Sequence, residues 1–169
     1  REALTRLESE RLIQIEPRKG AFLRKYSIRE IGELYDLREA LEVYAVGKVQ
    51  LTPSLLRELR ECVERSRKFL EANDKRRYIE EDTNFHAMLA AASGNELLTE
   101  ILTNVQHQVW LFRRKTYDLS RSKATDTHSA IVLALGTGDR EEAQRLMREH
   151  VTEVRDKLIR YLQEETAEG

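Results

Sequence analysis

Proline occurs only twice in this chain, and from Ser27 onward most breaks in the apolar periodicity coincide with a helix-capping signal. Ser27 to Glu30 reads as a capping box, with the serine accepting from the Glu30 backbone and the glutamate reaching back. Thr52-Pro53 starts another helix, Asn73-Asp74 breaks and restarts the chain, and Ser93-Gly94-Asn95 ends one helix and caps the next. Thr137-Gly138-Asp139 does the same, with Glu142 completing a box. The pattern predicts helices over 28–49, 53–72, 75–92, 95–117, 121–136 and 139–165. The fold expected is all-α, an antiparallel bundle of about six helices, with no strand pattern after residue 24. With 35% charged and 40% hydrophobic residues, the 169-residue chain suits a soluble helical domain with a real core.

The same composition excludes several classes. The single cysteine, Cys62, allows neither an internal disulfide nor a CxxC zinc site, which points to a reducing, cytoplasmic setting. Apolar runs are only a few residues long, so no membrane span is expected, and the charged first residues are unlike a signal peptide. Residues 1–26 hold seven Lys/Arg against four Asp/Glu, leaving the remainder net acidic. That asymmetry suggests two functional parts, 1–26 and 27–169. The first reads as a helix with Ala3, Leu4 and Leu7 on one face, then a hairpin with a basic tip.

Polar residues on inward faces carry the chemistry. Asp82 and His86 are one helical turn apart on a stripe that includes Ile79 and Leu89. His128 shares a stripe with Ile131, Val132 and Leu135, and His150 one with Ala143, Leu146, Met147, Val154 and Leu158. Burying such groups costs several kcal/mol unless they are paired or bind a cation. Three helices thus offer Asp82, His86, His128 and His150 to a common interior, a nitrogen and oxygen set suited to zinc, nickel, cobalt, iron or manganese. Core hydrogen bonding would explain the same residues without a metal. His107 points away from its helix's apolar line and is left out. Arg38 interrupts the stripe Ile31, Leu34, Tyr35, Leu41, Ala45, where its forked donors suit a carboxylate ligand or an intrahelical pair with Glu42. Asn104 and Gln108 share one side of the fourth helix and are candidates to line the same cavity.

The stretch "REALTRLESERLIQIEPRKGAFL" resembles the end of a GntR-type winged helix-turn-helix. "DLREALE", "DTNFHAMLAAASGNELL" and "THSAIVLALGTGDREEAQRLMREHV" resemble the FCD effector domain of that family's FadR/VanR branch, in its shorter VanR-type arrangement. The resemblance implies a homodimeric transcription regulator. Its divalent metal would be held at Asp82, His86, His128 and His150, beside a small carboxylic or sugar acid effector that controls binding to operator DNA. It also implies that residues 1–11 are most of a recognition helix, with Arg1 a DNA contact, and that Arg18, Lys19 and Gly20 form the wing tip. The usual winged domain has two more helices before this point, so these 169 residues alone are expected to bind operator poorly. Arg11 stands where the family has glycine, so it must bear a left-handed conformation or avoid it. Two competing classes are a metal-dependent hydrolase and a metal-free structural dimerisation domain. The hydrolase lacks an HExxH motif, a di-iron ExxH pair or a further acid/base residue.

Overall fold

The computed structural model describes residues 2–168, less the side chains of Ser122 and Glu168. The DNA contact expected of Arg1 lies outside the described residues. A short helix α1 (Glu2–Ser9) leads into an antiparallel hairpin of β1 (Ile13–Glu16) and β2 (Gly20–Leu23), with Ile13 opposite Leu23 and Glu16 opposite Gly20. Six helices follow: α2 (Ile28–Lys48), α3 (Pro53–Glu71), α4 (Lys75–Ala92), α5 (Glu96–Trp110), α6 (Arg113–Thr137) and α7 (Arg140–Glu168).

The hairpin turns through Pro17, Arg18 and Lys19, all exposed. Arg18 has φ +65° and Gly20 φ +113°, a conformation that costs glycine little. Arg11 bears the left-handed conformation rather than avoiding it, at φ +59°. Hydrogen bonds that close α1 hold it there: Arg11 N donates to Glu8 O and Leu12 N to Leu7 O, both at 2.9 Å. Tyr26 Oη donates to the Arg11 carbonyl at 2.6 Å. Because a non-glycine residue in this region costs about 1 kcal/mol, Arg11→Gly is expected to slow amide hydrogen exchange across residues 5–12. Unchanged exchange would show that the position is unstrained.

In the bundle the caps form where the sequence places them. Ser27 and Glu30 make the full box on α2, Thr52 caps α3 with Pro53 in its first turn, and Asp74, Asn95 and Asp139 accept from Arg77, Leu98 and Glu142 backbone N–H groups. Helix α2 lies along α7, which also packs on α6, while α3 covers α4 and α6, and α5 leans on α2 and α4. Phe85, Leu89, Leu102, Ile131, Met147 and Leu158 are fully buried among them.

One boundary differs from expectation. The fourth helix of the bundle ends at Trp110 rather than 117, and the next begins at Arg113 rather than 121. No Gly, Pro or Asn marks the bend at Leu111–Phe112. Its cause is tertiary: Phe112 packs edge-on against Tyr26, with ring centroids 5.5 Å apart, and Arg113 is turned into the core. Ser120, just before the start expected at 121, is a buried mid-helix residue.

Candidate metal and effector site

Helices α4, α6 and α7 bring Asp82, His86, His128 and His150 into the middle of the bundle, each nearly excluded from solvent. One ring nitrogen from each of the three histidines lies within 4.8 Å of the others. His128 Nε2 and His150 Nε2 are 3.3 Å apart, and the His128 ring is stacked on Phe85 with centroids at 4.1 Å. Asp82 is beside this triad but turned partly away. Its Oδ1 is 3.9 Å from His128 Nε2, while Oδ2 accepts a hydrogen bond from Arg113 Nη1.

Around the triad runs a closed network of charge. Arg38 Nε donates to Glu42 Oε1 at 2.7 Å, the intrahelical pair weighed from sequence, and Arg38 Nη2 is 3.1 Å from His86 Nε2. A guanidinium only donates, so His86 Nε2 accepts. The His86 proton therefore sits on Nδ1, which donates to Glu42 Oε2. A carboxylate on the far nitrogen fixes ring orientation and tautomer and leaves Nε2 with a free lone pair for a metal if Arg38 moves aside. Gln106 ties the network together: its Nε2 donates to Glu42 Oε1 and its Oε1 accepts from Arg113 Nη2, both at 2.7 Å. The donor types, the convergent nitrogens and the carboxylate behind His86 fit a divalent metal site.

Electrostatics follow from burial. Desolvation pushes the His128 imidazole down to about 3 and that of His150 well below the ordinary value near 6.5. Desolvation alone would raise the two carboxyls. Arg38 nonetheless holds Glu42 well below the usual range, and Arg113 holds Asp82 down to about 2. The sign for stability is set by the histidines. The unfolded chain takes up protons below about pH 6.5 that the folded metal-free chain refuses. Stability is therefore present above that pH and falls as pH drops toward the depressed folded values. At pH 5 His128 alone costs about 2 kcal/mol, from roughly 1.5 pH units at about 1.4 kcal/mol each. The Asp82 and Glu42 contributions are lost only at lower pH. Chelator-treated protein is expected to show a lower urea midpoint at pH 5 than at pH 7.5; equal midpoints would contradict neutral buried histidines.

The structure does not bring Asn104 and Gln108 to this cavity. They line a surface groove with Arg11, Tyr26, Glu30 and Ile101, and Gln108 Oε1 lies 3.1 Å from Tyr26 Oη. The reason is helix rotation. The buried face of α5 is Leu98, Leu102, Val105, Gln106 and Val109, which leaves 104 and 108 on the side facing α1. Exposed His107 also faces that way, its Nδ1 3.2 Å from Glu10 Oε2. Arg18, Lys19 and Gly20 are exposed at the hairpin tip. Sequence reasoning missed Gln106 and Arg113 as site residues. Their signal is the spacing of Leu102, Gln106, Val109 and Arg113, two polar side chains on an apolar stripe like the one that exposed Arg38.

Comparison with known proteins agrees with this architecture. The FCD domain family model matches residues 33–153. The transcriptional regulator LutR of Bacillus subtilis is 27% identical over 191 residues, covering 97% of this chain and 85% of that protein. The transcriptional repressor RspR of Escherichia coli is 25% identical over 168 residues, covering 97% of this chain and 74% of that protein. The solved structure of Escherichia coli McbR superposes with a TM-score of 0.81 at 22% identity, over 96% of this chain and 83% of that one, which shows the shared fold. No helix among the described residues is long and apolar enough to cross a membrane. The relatives are regulators, not enzymes, so the hydrolase reading falls away. The chain belongs to the FCD-domain family of GntR-type transcriptional regulators.

Proposed function

We propose that this chain senses a small organic acid through a metal-anchored site and converts its binding into a change in operator affinity. The observation that carries the reading is the convergence of His86, His128 and His150 nitrogens within 4.8 Å inside the effector domain, with Arg38 beside them. Asp82 and the three histidines would hold a divalent transition metal: zinc first, with nickel, manganese, cobalt or iron also matching the donors. When bound, that metal supplies a Lewis-acid anchor for a carboxylate oxygen. Arg38, already held by Glu42, neutralises the acid with its remaining donors.

The link to DNA runs along α5. Gln106 faces the site, and its neighbours His107 and Gln108 meet Glu10 and Tyr26, the residue that also holds the Arg11 carbonyl. A shift of α5 on effector binding would therefore move the recognition-helix unit. In a homodimer it would reset the spacing of two such units, with Arg18, Lys19 and Gly20 at each wing tip against the backbone. Because the ligand acts only through its differential affinity for two arrangements, the test is thermal. A panel of small mono- and dicarboxylates should raise the melting temperature of zinc-loaded protein and leave chelator-treated protein unchanged. Equal responses with and without zinc would defeat the proposal.

A further inference from the structure

Two buried arginines, Arg38 and Arg113, line the cavity at the site. A void of about 20 Å³ is bounded by Arg38, Tyr78, Asp82, Arg113, Tyr117 and His150, among others. Each guanidinium has a buried donor with no partner among the described residues, Nη1 on Arg38 and Nε on Arg113. Each also occupies a group that a metal needs: Arg38 Nη2 takes the His86 Nε2 lone pair, and Arg113 Nη1 takes the Asp82 carboxylate. The two arginines thus bring positive charge to the same donors that a cation would use.

Charge then limits the ligand. Arg38 with Glu42 and Arg113 with Asp82 cancel. A divalent ion taken up by Asp82 and the triad leaves two uncompensated positive charges among side chains nearly excluded from solvent, which is costly until an anion cancels them. Loading also parts Arg38 from His86 and Arg113 from Asp82, while Glu42 still holds Arg38 and Gln106 still holds Arg113 at the site edge. A void of this size admits no acid until these side chains shift.

We propose that Arg113 exchanges partners, leaving Asp82 for a second acidic group on the effector, so that the ligand of this site is a dianion gripped by Arg38 at one acid group and by Arg113 at the other. This deepens the metal-anchored reading and rests on it. Metal and dianion therefore bind with positive coupling, and a monoanion gains less from the metal.

The test uses calorimetric titration of the whole chain with zinc alone, then of zinc-loaded protein with succinate and with butyrate, which share a four-carbon skeleton. Succinate is expected to bind about tenfold tighter or more. Arg113→Met should lose most of that preference and, with no acid present, bind zinc more tightly than the unaltered chain because Asp82 is released. Arg113→Lys, which keeps the charge without the fork, should fall between and serves if the methionine variant does not fold. Butyrate binding as tightly as succinate, or a preference that survives both substitutions, would overturn the dianion assignment while leaving the metal-anchored reading standing. Failure to take up zinc at all would overturn both.

Discussion

Replacing Glu42 with leucine is expected to destabilise the metal-free chain by about 3–5 kcal/mol, the usual cost of stripping one partner from a buried ion pair. Arg38 and Glu42 are both almost wholly excluded from solvent, and this one carboxylate accepts from Arg38, His86 and Gln106. Its loss strands a guanidinium that cannot give up its proton. For a chain of this length the melting temperature should fall by about 6–20 °C. The substitution has a second consequence. His86 loses the acceptor that fixes its Nδ1 proton, so zinc affinity should also fall, by about 10–100-fold. A loss of stability below 1 kcal/mol would mean that Glu42 is not the counter-ion that organises the core.

His128→Leu separates metal binding from folding. The ring is stacked on Phe85 and enclosed by Ile131 and Val132, so leucine keeps much of the apolar packing. The metal, however, loses one of four donors. With structural zinc sites worth about 10–16 kcal/mol in total, one donor corresponds to roughly two orders of magnitude in affinity or more. The variant should also be less sensitive to acid, since the leucine has no proton to take up on unfolding. Zinc affinity unchanged in this variant would remove His128 from the site.

Much of the site is legible in the sequence because each polar residue breaks a stripe that periodicity predicts to be buried. Asp82, His86, His128, His150 and Arg38 all break such stripes, and all are buried. Helix starts were equally plain where a side chain caps them. The bend at Leu111–Phe112 has no such local signal. It is set by Phe112 against Tyr26 and by Arg113 reaching Asp82, contacts between residues far apart in the chain. Assigning 95–117 to one helix hid the meaning of Arg113. Asn104 and Gln108 do share one side of that helix, but the observed rotation puts that side against α1 rather than toward the cavity. Asp82 shows a different limit. Spacing places it beside His86, but only the structure shows that an arginine from the next helix pair holds its carboxylate.

The central claim is that the three histidines and Asp82 form a metal site rather than a hydrogen-bonded polar core. Elemental analysis of protein purified without chelators, followed by zinc titration of the chelator-treated chain, tests it most directly. The account predicts one equivalent of transition metal per chain, recovered on titration and lost in His128→Leu. Protein that carries no metal and takes up none would contradict it, leaving Arg38 and Arg113 as the permanent partners of His86 and Asp82.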